Sequence, residues 1–198
     1  RARLLRITYV DTDKRDREYE TYAFLIESSK RFSKRIGAPP VSARIVAITD
    51  LIPEYAALAA VFHYLIGNTD FSMIAAAQGE NCCHNHELFG TRETRFFSVP
   101  YDFDMSGIVD ADHAKPNPRF GIRSVRDRKY RGRCAYNDYV PAAIAKFKEQ
   151  REAIYALIND EPSLRNSTRR SQLRFVDDFY KDIETPADVR KNILDNCE

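Results

Sequence analysis

The sequence predicts an α+β fold, mainly helical, that opens with a short β-hairpin. Three observations predict it. Residues 4–10 and 21–27 are rich in β-formers and are separated by the charge-rich stretch 11–20. Residues 52–66 carry one apolar stripe, Leu58, Val61, Phe62 and Leu65, between Pro53 and Gly67. Beyond residue 140 the apolar positions again recur at helical spacing.

Each element has its own local reason. In 11–20, ten residues with eight charges are expensive to bury, so this turn is expected to face solvent. Residues 28–40 are basic and polar and end in Pro39-Pro40, which reads as a connector. Asp50 is placed to cap the 52–66 helix, Pro53 suits its first turn, and Gly67 stops it. Residues 86–89 and 95–99 are short strand candidates. Residues 106–137 form a long polar loop with Arg119, Arg123, Arg126, Arg128, Lys129, Arg131 and Arg133, whose charges read as solvated. A helix over about 141–158 aligns Ile144, Phe147, Ile154 and Ile158. A second, over about 168–183, aligns Leu173, Val176, Tyr180 and Ile183. A last helix starts at Pro186, capped by Thr185, with Asp188 near its positive end. The central stripe at Leu58, Val61, Phe62 and Leu65 is expected to pack on these C-terminal helices.

Bulk properties limit the function classes. The chain has 198 residues, 43% of them apolar, enough for one sizeable core. A net charge of +2 is too small to indicate nucleic-acid binding. No apolar run reaches the ~20 residues of a membrane span, and the N-terminal residues lack the apolar core of a signal peptide. The chain starts without Met, so it reads as processed or as an excerpt, and the compartment stays open.

The chemistry-bearing residues fall in order along the middle of the chain. Gly67-Asn68-Thr69-Asp70 places a carboxylate just past a helix end. His84-Asn85 adds an amide, and Val99-Pro100-Tyr101-Asp102-Phe103-Asp104 adds two carboxylates after an apolar run. Phosphoryl transfer asks a protein for a positioned hydroxyl and metal-bound phosphates. Magnesium takes oxygen ligands, one or two of them carboxylates, beside phosphate oxygens. Asp70 suits the first task; Asn85, Asp102 and Asp104 suit the second. Asp70, Asn85 and Asp102 are then expected to converge, with oxygens that share a metal within roughly 5 Å.

These motifs resemble the C-terminal lobe of atypical protein-kinase-like domains, the CotH-like and HipA-like kinases. The resemblance covers residues 67–104 by motif and the rest by element order. It implies that residues 1–40 are the end of an N-lobe, hairpin plus hinge connector, and that 41–198 form the helical C-lobe. It implies ATP and Mg2+ or Mn2+ as cofactors, and a protein or small-molecule hydroxyl as acceptor. Asp70 would be the catalytic residue, and Asn85, Asp102 and Asp104 would hold the metal. The sequence departs from the kinase pattern in two places. Fourteen residues separate Asp70 from Asn85 where kinases place four, and no Gly-rich loop or strand Lys precedes the hairpin. The second departure keeps a non-catalytic, pseudokinase-like binding module as the alternative. A weaker alternative is a metal hydrolase built on His84, His86, Asp102 and Asp104.

The four cysteines are Cys82, Cys83, Cys134 and Cys197. Adjacent Cys82-Cys83 lacks the spacing of a zinc pair and reads as buried thiols or a disulfide. Cys134, alone in the polar loop, is expected to bridge to Cys82 or Cys83 if the protein is exported or periplasmic.

Overall fold

The structure is a computed structural model that describes residues 1–13, 18–77 and 79–198. It is mixed α+β and divides into two compact units, Arg1–Pro40 and Val41–Glu198.

The first unit is an antiparallel hairpin followed by a helix. Strand β1 (Ala2–Val10) pairs with β2 (Glu18–Ile26) in one register, from Ala2 opposite Ile26 to Val10 opposite Glu18. Tyr9 stacks on its cross-strand partner Tyr19 with ring centroids 5.1 Å apart, and Arg6 pairs with Glu20. The expected turn is shorter than 11–20, because Glu18 to Glu20 already belong to β2. Its described residues are exposed, and residues 14–17 lie outside the described set. The expected connector 28–40 is largely helical instead: α1 (Ser29–Ile36) ends at Gly37 in the left-handed region. Arg35 pairs in bidentate fashion with Glu27, just before this helix, Nε to Oε1 at 3.2 Å and Nη2 to Oε2 at 2.6 Å. A basic sequence with few apolar residues hides such a helix from periodicity. The two-residue strand β3 (Pro40–Val41) spans the boundary between the units.

The second unit is organised around α2 (Pro53–Ile66). Four alanines, Val61, Tyr64, Leu65 and Ile66 are all buried, so the helix is apolar nearly all round and forms the centre of the core. It packs on β5 (Arg95–Pro100), on the 3-10 segment Cys134–Tyr139, on α3 (Val140–Glu149) and on α5 (Asn166–Asp182). Within the expected stripe, Val61 and Leu65 are buried, whereas Leu58 and Phe62 are half-buried along a groove with Phe147 and Ile154. Asp50 does not cap α2. It ends a separate 3-10 turn, Ile48–Asp50, where its carboxylate accepts from the Ala47 amide at 3.0 Å, and Ile52 holds the N-cap position. Pro53 sits in the first turn, as expected.

Strands β4 (His86–Thr91) and β5 (Arg95–Pro100) pair antiparallel, His86 opposite Pro100, and place Leu88 and Phe96 in the core. The expected helix over 141–158 is two helices, α3 (Val140–Glu149) and α4 (Arg151–Asn159), broken at Gln150 where ψ is 8°. The break lets α4 lie against α5 (Asn166–Asp182), with the Tyr155 hydroxyl donating to Asp177. α6 (Pro186–Asn192) carries the capping box anticipated at Thr185 and Asp188, with bonds of 3.2 and 3.0 Å. No helix among the described residues is long and apolar enough to cross a membrane.

The disulfides differ from expectation. Cys134 bridges to Cys197, not to Cys82 or Cys83, with Cα atoms 5.0 Å apart. Cys82 and Cys83 are buried and joined to each other. That corrects the Cys134 pairing. The chain after α6 returns to the Cys134 turn, a closure no local pattern announces.

Candidate functional site

Asp70 sits three residues past Gly67, at the exit of α2. Gly67 ends that helix at φ 64°, and a Cβ there would lie 2.7 Å from the ring of Phe175. Asn68 is fully buried; its backbone N–H donates to the His63 carbonyl at 2.9 Å and its side-chain oxygen accepts from the Asp70 amide at 2.8 Å. That closes a tight Asx turn and aims Asp70 outward.

The Asp70 carboxylate meets two neighbours from the segment before β4. His84 Nε2 donates to Oδ1 at 2.9 Å. The Asn85 amide donates to Oδ2 at 2.9 Å and to the Asp70 carbonyl at 2.8 Å. Asn85 holds a φ of 54°, a conformation Asn tolerates better than most residues. Both amide protons are spent on Asp70, which leaves the Asn85 side-chain oxygen outside this contact.

The third segment lies alongside. The Tyr101 amide donates to the Asn85 carbonyl at 3.2 Å, and Asn68 Nδ2 reaches the Asp102 carbonyl at 3.5 Å. Phe103 turns inward and meets the ring of Phe62 edge-on at 5.4 Å, while Asp102 and Asp104 face solvent on either side. Asp102 Oδ1 accepts from the Asp104 amide at 3.3 Å, and Asp104 pairs with His113 at 3.0 Å. The structure therefore joins Asp70 directly to Asn85 and brings the backbone of Asp102 beside them. Asp104 faces His113.

Among the described residues, no group of three His, Cys, Asp or Glu side chains is arranged to hold a metal ion. The donor set that remains is one amide oxygen and the exposed carboxylate of Asp102. It is not a self-sufficient protein cage.

His84 and His86 part company, which removes the pair needed by a metal hydrolase. His84 faces Asp70, while His86 is buried with Nε2 2.8 Å from Nε2 of His63. His86 Nδ1 lies 3.0 Å from both the carbonyl and the hydroxyl of Ser98; the carbonyl can only accept and the hydroxyl donates to the Met73 carbonyl, which assigns the proton to Nδ1 and lets Nε2 accept from His63. His63 Nδ1 is then a bare acceptor, buried without a partner. Burial lowers both imidazoles, His86 to about 4 and His63 well below its ordinary value, so both are neutral near pH 7. His63 stacks on Phe71 at 3.8 Å and forms the floor beneath the Asp70 turn.

The basic run is not simply solvated. Arg128 donates to the carbonyls of Tyr64 and Leu65, at 3.0 and 3.3 Å, and to that of Phe175, so it caps the end of α2. Its guanidinium lies 3.8 Å above the Phe175 ring. Arg131 donates to the carbonyls of Thr69 and Phe71, at 2.8 and 2.6 Å, on either side of Asp70. Sequence reasoning missed His63, Arg128 and Arg131. Only the proximity of five arginines between 123 and 133 hinted at a shared task.

No family model matches the chain, and neither a curated protein nor a solved structure is similar to it, which leaves the site's own geometry to carry its function.

Proposed function

We propose that the second unit is a kinase-like, metal-dependent phosphotransferase domain that uses ATP. The single observation that supports this most is the direct bond between Asp70 and Asn85, fifteen positions apart, with the Asp102 backbone tied in through Asn68. Three motifs read in order thus come together at one surface. In this reading Asp70 orients the acceptor hydroxyl and takes up its proton. Asn85 and Asp102 would hold Mg2+ or Mn2+, with Asp104 assisting. The metal, when bound, neutralises charge on the phosphates. The acceptor is a hydroxyl of a protein or small molecule. The Cys134–Cys197 bridge fits an oxidising compartment, exported or periplasmic, better than the cytosol.

A second reading, a non-catalytic pseudokinase-like binding module, draws on a specific observation. Both carboxylate oxygens of Asp70 already have partners, His84 and Asn85. One experiment separates the two. Calorimetric titration with ATP, with magnesium and then with EDTA, is repeated on Asp102→Ala. The phosphotransferase reading expects binding that needs the metal and falls at least tenfold in the variant. Absent binding, or binding indifferent to both changes, overturns it in favour of the module.

A further inference from the structure

We propose that Arg131 is a positioning residue for Asp70, and that Glu198 and the Cys134–Cys197 disulfide hold Arg131 in place. The inference rests on the phosphotransferase reading for its kinetic consequence, but not for its structural one.

One nitrogen of the Arg131 guanidinium, Nη1, spends its two protons on the carbonyls of Thr69 and Phe71. These belong to the peptide that enters Asp70 and to the one that leaves Phe71. Fixing both carbonyls fixes the backbone angles between them, and therefore the direction of the Asp70 side chain. The plane of the guanidinium is set from its faces as well. Its carbon lies 5.0 Å from the ring centre of Phe71 and 4.3 Å from that of Phe120. Lysine offers neither the flat face nor the fork.

The remaining edge of the guanidinium is held from the far end of the chain. Nε donates to Glu198 Oε1 at 3.0 Å, and the Arg131 side chain is only 11% exposed. Glu198 is itself fixed by backbone bonds on both sides. Its amide donates to the Gly132 carbonyl at 2.9 Å, and its carbonyl accepts from the Cys134 amide at 3.1 Å. The adjoining residue Cys197 is bonded covalently to Cys134. A disulfide, two backbone bonds, one ion pair and two carbonyl bonds thus run in sequence from Cys197 to the turn that carries Asp70. A misplacement of about 1 Å at a reacting group costs on the order of a hundredfold in rate.

The test uses Arg131→Lys, Glu198→Gln and the double variant Cys134→Ala/Cys197→Ala, with two measurements on each. The first is amide hydrogen exchange at residues 68–71, compared with Val176 and Phe179 in α5. The second is ATP turnover with magnesium, with water or an added alcohol as acceptor. Exchange at 68–71 is expected to rise more than tenfold while α5 stays protected. Turnover is expected to fall roughly 10- to 100-fold in kcat for Arg131→Lys, and less for the other two, with KM for ATP within about threefold. Unchanged exchange at 68–71 in folded variants overturns the proposal, as does a loss seen entirely in KM. If Arg131→Lys does not fold, Glu198→Gln decides by the same criteria. If the unaltered protein turns over no ATP, the phosphotransferase reading fails, and the exchange data alone decide the positioning role.

Discussion

Asn85 gives both of its amide protons to Asp70, one to the carboxylate and one to the carbonyl, across fifteen positions of chain. The arrangement orients two residues at once. It points the Asp70 carboxylate, and it does not engage the Asn85 side-chain oxygen. The backbone contributes too, since Asn85 sits at φ 54°.

That geometry separates two roles of Asn85 by mutation. Asn85→Ala loses both the amide and the tolerance for the left-handed backbone, and it should cost about 1–2 kcal/mol of stability from the backbone alone. Asn85→Gly restores the backbone without the amide. We expect chemical denaturation to show Asn85→Gly recovering most of that stability, while magnesium-dependent ATP affinity stays at least tenfold weaker in both. An Asn85→Gly protein that binds ATP normally would show that the amide is not a ligand.

The buried imidazoles make stability depend on pH. Burial depresses the folded-state pKa of His86 to about 4 and holds that of His63 well below its ordinary value near 6.5. The unfolded chain binds these protons more readily than the folded one. Their contribution is therefore fully present above about pH 6.5 and is lost as pH falls toward 4. For His86 alone the loss amounts to roughly 3 kcal/mol. Urea melts between pH 7 and pH 4 should show it, and His86→Gln should flatten the curve in that window. An equally steep curve in the variant would place the dependence elsewhere.

Local chemistry made part of this legible. Gly67 as a helix stop, Thr185 with Asp188 as a capping box, and the alternation around Phe103 each depend on residues a few positions apart. That Asp70, Asn85 and Asp102 carry side-chain oxygens in this order is visible in the sequence, but the bond that joins Asn85 to Asp70 is a contact across fifteen positions. The parts that stayed hidden depend on long-range partners. Arg128 and Arg131 read as solvated because their acceptors are backbone carbonyls more than forty residues away, and carbonyls leave no mark in a sequence. Asp50 looked like a cap for α2 until a competing turn took its carboxylate. Cysteine pairing is fixed by how the chain closes, and residue type alone does not say which pairs form.

Gly67 is where the central helix and the site share one constraint. Any side chain there meets the Phe175 ring and must also adopt φ 64°. Gly67→Ala combines a backbone penalty of about 1–2 kcal/mol with a displaced aromatic ring that Arg128 also covers. We expect a loss of roughly 2–4 kcal/mol in denaturant melts. A loss below 1 kcal/mol would mean that Phe175 moves aside freely.

The two disulfides should differ sharply in what they contribute. Cys134 and Cys197 close a loop across a sequence separation of 63, for which the chain-entropy relation gives about 4 kcal/mol. Cys82 and Cys83 are adjacent, so their bond closes only the small ring of the two residues themselves and adds little loop-closure entropy. Replacing Cys134 and Cys197 by alanine should lower the melting temperature by roughly 8–16 °C in a chain of this size. Replacing Cys82 and Cys83 should act only through lost packing, since Cys83 Sγ contacts the Met73 carbonyl at 3.0 Å and both side chains are buried. We expect roughly 1–2 kcal/mol there, or about 2–8 °C. The ranking is the decisive feature. A Cys82→Ala/Cys83→Ala protein that melts below the Cys134→Ala/Cys197→Ala protein would show that the vicinal bond, not the long-range bridge, governs the stability of the second unit. The same comparison by amide exchange should locate the effect: opening at residues 131–134 for the long-range pair, and at residues 82–85 for the adjacent pair.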